Sequence, residues 1–188
     1  MCSIMSTARG RLSGHSDRPR MMSAGTATVQ QLSSCPSVSN DYLAVHVQLL
    51  CDSLRTLNGR DLVEARLGSA EAARQIFYAP FVVLSHNSDP DPILTYANLA
   101  CMRLFEMGWN QIVQTPSRHT AEVPVRAERE RLLARVAADG FIVNYTGVRV
   151  SATGRRFMIE NATVWNLKDR QGRDCGQAAT FNQWTFLP

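Results

Sequence analysis

Phe141-Ile142-Val143-Asn144-Tyr145-Thr146-Gly147-Val148-Arg149-Val150-Ser151, then Ala152-Thr153-Gly154-Arg155, then Arg156-Phe157-Met158-Ile159-Glu160-Asn161-Ala162-Thr163-Val164-Trp165-Asn166-Leu167, is the stretch whose reading decides the fold. Two runs rich in β-branched and aromatic residues flank a Gly-containing turn signal, the pattern of an antiparallel hairpin. Asp169 to Gly172 supplies a second turn, and about Asp174 to Phe186 a third run of the same character. The last third of the chain therefore reads as a three-strand meander.

Register follows turn length. A two-residue turn at Thr153-Gly154 sets Val150 opposite Phe157, Val148 opposite Ile159, Thr146 opposite Asn161, Asn144 opposite Thr163 and Ile142 opposite Trp165. The other face carries Tyr145, Arg149, Arg156, Met158 and Glu160, and is the expected wet face because charged side chains are rarely buried unpaired. The first face is then the core face, and it gathers Thr146, Asn144, Asn161 and Thr163. A five-residue second connection adds Gln177 beside Thr163; a four-residue one turns it away. Buried amides and hydroxyls left without partners cost about 1–3 kcal/mol each. Either an internal ligand satisfies them, in an apolar cavity with a few convergent polar groups, or they bond to one another, to loop backbone or to a trapped water.

Working back toward the N-terminus, the helix of about Val125 to Asp139 directs Leu132, Leu133 and Val136 inward and Arg126, Arg129, Glu130 and Arg135 outward, and stops at Gly140. Phe81 to Ser85 and Ile93 to Tyr96 are short β runs joined by Asn87-Ser88-Asp89-Pro90-Asp91-Pro92, a dense turn signal. A helical segment from about Asn98 to Met107 follows, with Leu99, Met102 and Phe105 on one side. A short helix from Ser69 runs to Pro80. Before it, Asn40 or Asp41 can cap a helix in which Leu43, Val47, Leu50, Leu54 and Leu57 form one apolar stripe ending at Asn58-Gly59. That stripe suits packing on the protein's own core, or a short homodimeric seam of about two heptads.

The 188 residues fit one domain of about 41–188 plus a tail of residues 1–40, and 45% hydrophobic content is enough for a core. The formal charge of +4 is concentrated in the tail, where Arg9, Arg11, Arg18 and Arg20 stand against Asp17 for a net +3. The folded part is nearly neutral, so direct nucleic-acid binding is not expected. The tail is rich in Ser, Thr, Ala, Met and Arg and is expected to be disordered. It reads as a chloroplast or mitochondrial transit peptide, as an ordinary tail, or as the product of a start assigned upstream of Met21 or Met22. Five scattered cysteines with no CxxC pair fit an intracellular protein, and no apolar run approaches membrane-spanning length.

Ile93-Leu94-Thr95-Tyr96-Ala97-Asn98-Leu99-Ala100, followed by Leu104-Phe105 and Gly108-Trp109, resembles the start of a PAS domain. Ala79 to His86, Pro116 to Glu122, Thr153 to Phe157, Ala162 to Leu167 and Gly176 to Phe181 resemble the MEKHLA domain family over about residues 42–184. The resemblance implies an α+β fold: a PAS-like five-stranded antiparallel sheet with flanking helices and an N-terminal helix. It also implies that Asn98 opens the helix that lines the pocket. The plant relatives carry this domain at the end of homeodomain leucine-zipper factors, and neither of those DNA-binding parts occurs in this chain. Pro116-Ser117-Arg118-His119 stands in the connecting region, where flavin photoreceptors of the PAS type carry Asn-Cys-Arg, and Cys101 lies in an earlier helix; a cysteinyl-flavin photocycle is not expected.

No GxGxxG, phosphate-binding loop or GxSxG elbow is present, and His86 with Asp89 and Asp91, or His119 with Glu122, reads as turn capping rather than as a metal site. No catalytic residues are expected. The chain is read as a sensory or regulatory module whose cofactor-binding candidates are Asn98, Phe105, Asn144, Asn161, Thr163 and Gln177, for a small ligand or protein partner the sequence does not name. Signalling would run through the N-terminal helix. The alternatives are a ligand-free interaction module and a small-molecule enzyme using a base such as Asp139 or His119.

Overall fold

A computed structural model describes residues 34–64 and 67–188. Helices α1 (Ala44–Asn58) and α2 (Ser69–Tyr78) precede the hairpin β1 (Val82–His86) and β2 (Leu94–Ala97). Helices α3 (Leu99–Phe105), α4 (Trp109–Ile112) and α5 (Val123–Asp139) lead into β3 (Phe141–Val150), β4 (Arg156–Lys168), β5 (Asp174–Phe181) and β6 (Gln183–Phe186). The tail readings for residues 1–33, and the expected solvation of Arg126 and Arg129, lie outside the described residues and side chains.

The strands form one antiparallel sheet in the order β2-β1-β5-β4-β3, with β6 also paired to β4. The single strand expected from Asp174 to Phe186 is interrupted at Asn182. Its pairing with β4 resumes without a shift, Thr163 opposite Thr180 before the break and Glu160 opposite Gln183 after it. The break lies across from Asn161, where β4 itself is irregular.

The hairpin of β3 and β4 corrects the expected register. Ser151 N donates to Arg155 O at 2.9 Å, closing a three-residue loop, Ala152 to Gly154, rather than a two-residue turn. Gly154 takes φ 85°, the left-handed conformation such a loop needs at its last position. Val150 consequently faces Arg156, and Arg149 faces Phe157. Farther along, Ile142 faces Val164, Tyr145 faces Ala162 and Gly147 faces Ile159. One extra residue thus sits on β3 near Asn144 and one on β4 near Asn161, and both asparagines have positive φ (57° and 53°). These are paired bulges built on the residue type that best tolerates left-handed backbone after glycine. A slip of one residue exchanges faces. Arg149 and Tyr145, expected on the wet side, therefore turn inward, while Thr163 and Trp165 turn to the opposite face.

Neither face of the sheet is wet over its central strands. On the outer face α1 and α2 cover Val83, Tyr96, Trp165 and Leu167. Leu43, Val47, Leu50 and Leu54 of the α1 stripe are buried there and Leu57 packs alongside. Trp165 Nε1 donates to Leu50 O at 3.2 Å, which ties β4 to α1. Each fully buried leucine contributes about 1.5–3 kcal/mol, so the stripe is spent on the chain's own sheet and a homodimeric seam through it would require α1 to undock. Helix α1 begins at Ala44 and not at an Asn40 or Asp41 cap, because Asp41, Tyr42 and Leu43 all take left-handed φ values that end a 3-10 segment first. On the inner face α3, α4 and α5 cover Val82, Ala97, Phe157, Ile159 and Phe181.

Candidate functional site

A cavity of about 60 Å³ lies between the inner face of the sheet and helices α3 and α5. Its walls are mainly apolar: Leu84 and Phe181 from the sheet centre, Ile159 and Ala162 from β4, Phe105 from α3 and Leu132 from α5. The polar part of the wall is made by Tyr145 and Arg149 of β3, Gln177 of β5, Ser85 and His86 of β1, and Ser117 and Thr120 from the 3-10 turn before α5. Among the described residues no carboxylate lines it.

Arg149 is the feature that the sequence reading placed on the wrong side. It is only 9% exposed. Its Nη1 donates to Val148 O at 2.8 Å, its Nη2 donates to the Tyr145 hydroxyl at 3.1 Å, and its guanidinium carbon lies 5.3 Å from the Tyr145 ring centre. Gly147, between them on the same face, makes this contact sterically feasible. A Cβ at 147 would overlap the Tyr145 hydroxyl and ring, so glycine allows the tyrosine to lie along the strand and reach the guanidinium.

Gln177 also faces inward, at the cavity edge, and its amide already has partners. Its Nε2 donates to Leu133 O at 3.1 Å and to Asn166 Oδ1 at 3.0 Å, while Asn166 Nδ2 donates to Ala137 O at 3.3 Å. Two amides from β4 and β5 thus hold two carbonyls of α5, one helical turn apart, against the sheet. Ala137 O is among the last four carbonyls of α5, which have no partner within their own helix. Phe105 lines the cavity and meets Phe157 edge-on at 5.1 Å between ring centres.

The other four candidates are elsewhere. Asn98 is completely buried, but its side chain is saturated by the fold: Oδ1 accepts from Val83 N and Cys101 N, and Nδ2 donates to Ile76 O and Phe81 O. It caps α3, as expected, and bolts that helix to β1 and α2. Asn144 and Asn161 are exposed on their bulges, and Asn161 Nδ2 donates to Gln183 Oε1. Thr163 is buried on the outer face, opposite Thr180. Of the six residues, the structure brings Phe105 and Gln177 to the cavity. It adds Arg149 and Tyr145, for which the only sequence signal was the pair of asparagines that mark the bulges and reset the register.

The outer face carries a polar chain of its own. His46 of α1 stacks on Tyr96 at 5.7 Å, and its Nε2 is 2.9 Å from the hydroxyl of Ser85, which in turn lies 2.9 Å from the Thr95 hydroxyl. Burial pushes the His46 imidazole down to about 4, so it is neutral at physiological pH. Burial likewise raises the thiols of Cys51, to about 11, and of Cys101. Neither thiol lines the cavity. In the β1-β2 turn, Asp91 is ion-paired with Arg118 and Asp89 accepts from Asn87 Nδ2, so both carboxylates serve the turn. Among the described residues no group of three or more His, Cys, Asp or Glu converges on a point, and no helix is long and apolar enough to cross a membrane.

A family model described as the MEKHLA domain matches residues 44–186. No curated protein matches the chain. Among solved structures, the PAS domain of a Colwellia psychrerythraea protein is similar at 13% identity and TM-score 0.50, over 62% of this chain and 94% of that one. A fungal light-oxygen-voltage domain photoreceptor is similar at 14% identity and TM-score 0.51, over 80% of this chain and 95% of that one. An RNA-binding light-oxygen-voltage receptor is similar at 17% identity and TM-score 0.52, over 64% of this chain and 34% of that one. These likenesses establish a PAS-like fold.

Proposed function

Because the chain belongs to the MEKHLA domain family and has a PAS-like fold, we propose that it is a sensory module whose inner-face cavity holds a small ligand and whose helix α1 carries the response. The observation behind this reading is the cavity itself: a partly open, mainly apolar space with Arg149, Tyr145 and Gln177 in its wall. Protein interiors are normally filled to crystal density, so a void beside a buried charged group is unusual in a domain built only for stability.

The route outward is short. Strands β1, β4 and β5 present alternate residues to the two faces, so Leu84, Val164 and Ala179 reach the cavity while Ser85, Trp165 and Ala178 lie toward α1. Ser85 touches His46 and Trp165 holds Leu50 O, which gives α1 two polar contacts with the strands that line the cavity. A ligand that bound more tightly to one arrangement of these strands would bias the seating of α1 by that difference in affinity and no more. At about 60 Å³ the space is well below the roughly 300–1,000 Å³ of a drug-sized site. A flavin or haem would need α5 to move, whereas a molecule of a few heavy atoms would not.

The test is to purify the full chain, record its absorption spectrum, denature it and identify released small molecules by mass spectrometry, in parallel with Ala162→Leu, which fills the cavity. A stoichiometric molecule present in the wild type and missing from the variant supports the reading. A well-folded wild type that releases nothing and binds no small molecule in a fragment screen contradicts it.

A further inference from the structure

We propose that the cavity selects a small monocarboxylate, with the Arg149 guanidinium holding the carboxylate and the apolar wall holding a short hydrocarbon chain. This deepens the ligand-site reading above and rests on it.

Arginine stays protonated at any pH a folded protein experiences and carries five N–H donors. Arg149 directs one to a backbone carbonyl and one to a phenol, both neutral, and it is nine-tenths buried. Among the described residues Arg55, Arg74, Arg118, Arg155, Arg156 and Arg173, all more exposed, each face a carboxylate within ion-pairing distance. Arg149 has none. A buried cation without an anion is among the costlier arrangements in a protein interior, and this one stands in the wall of a cavity lined by no carboxylate among the described residues. The site is also built: Gly147 exists without a Cβ where any side chain would displace the tyrosine that orients the guanidinium.

Chemistry and size narrow the anion. A planar carboxylate matches the fork of a guanidinium through two parallel hydrogen bonds. Apart from His86, Arg149 is the only basic residue in the lining among the described residues, so a second carboxylate on the ligand would meet no second guanidinium or ammonium group. Leu84, Leu94, Phe105 and Ile159 offer nothing to a phosphate or sulfate but cover a methyl or ethyl group. At about 60 Å³, well under the roughly 150 Å³ of an engineered cavity that binds benzene, the space favours an anion of a few heavy atoms, for which acetate and propionate are the probes.

The experiment is isothermal titration and thermal denaturation of the full chain with acetate and propionate, against propionamide and inorganic phosphate at matched ionic strength. The proposal expects propionate to bind and raise the Tm, propionamide to bind at least tenfold more weakly, and phosphate to give no saturable signal. Arg149→Met should lose at least tenfold in propionate affinity and Tyr145→Phe about threefold. If Arg149→Met does not fold, the propionate-to-propionamide ratio on the wild type and the Tyr145→Phe variant decide the matter. Equal binding of acid and amide, or unchanged affinity in Arg149→Met, overturns the monocarboxylate assignment. Amide binding that Ala162→Leu abolishes would do so while leaving the cavity as a ligand site. Binding of neither probe overturns the assignment, and if denaturation also releases no molecule the ligand-site reading falls with it.

Discussion

The two faces of the sheet are made from alternate residues of the same strands, yet they are finished differently. The outer face is closed by an aliphatic stripe on α1, and its larger polar groups mostly find partners within the fold: Trp165 with Leu50 O, Ser53 with Lys168, His46 with Ser85. The inner face is closed by α3, α4 and α5, which leave a cavity, and it holds a cation with no anion among the described residues. One face is organised for cohesion and the other retains an unsolved electrostatic problem. A ligand is the economical solution, since neither stability nor folding is served by a void beside a charge.

The contrast can be broken most forcefully on the outer face. Leu50→Ala removes a side chain with no exposed surface from the stripe and should cost about 2–5 kcal/mol in urea unfolding; a loss below 1 kcal/mol would mean that α1 is not seated as described. The second effect is a pH dependence with its sign set by burial. His46 has a folded pKa of about 4 against roughly 6.5 when unfolded, so below about pH 6.5 the unfolded chain takes up a proton that the folded one refuses. Stability should therefore fall from about pH 6.5 toward pH 4, with a slope from this group approaching about 1.4 kcal/mol per pH unit. His46→Gln should flatten that segment of the profile, and an unchanged slope would assign the dependence to other groups.

Smaller effects sharpen the comparison. Ala162→Val adds two methyl groups where the inner wall already has room and should change stability by less than about 1 kcal/mol, while enlargement of a close-packed position costs about 1–3 kcal/mol. A cost in the upper part of that range at Ala162 would argue that the inner face is as tightly filled as the outer. Tyr96→Phe should be nearly neutral, within about 0.5 kcal/mol, because the Tyr96 hydroxyl is buried with no hydrogen-bond partner among the described residues; its removal strands no group. A loss above 1 kcal/mol would reveal a partner for that hydroxyl.

Much of the fold was legible because hydrophobic period and turn chemistry agree along the chain. The α1 stripe, the Asn87 to Pro92 turn, the Asn98 cap and the meander all appear where their residues imply. The site was much less legible. Its polar wall depends on which way β3 faces, and that depends on a loop of three residues rather than two and on bulges at Asn144 and Asn161. Charge misassigns the faces because Arg149 is buried with no ionic partner among the described residues. Gln177 was expected beside Thr163 for a five-residue connection, but the irregularity at Leu167/Lys168 sets it opposite Asn166, on the other face from Thr163, and its bonds to α5 depend on how the helix docks, which no strand pattern contains.

The central claim, that the inner face encloses accessible space and the outer face does not, can be tested without knowing any ligand. Methyl NMR spectra of the full chain recorded under increasing xenon pressure would report it, since xenon enters apolar cavities and is indifferent to charge. The account predicts saturable shifts at the Leu84, Leu132 and Ile159 methyls that line the cavity, with the Val47, Leu50 and Leu54 methyls of α1 showing no direct contact to the gas. Shifts centred on the α1 methyls, or none at Leu84 and Ile159, would contradict it.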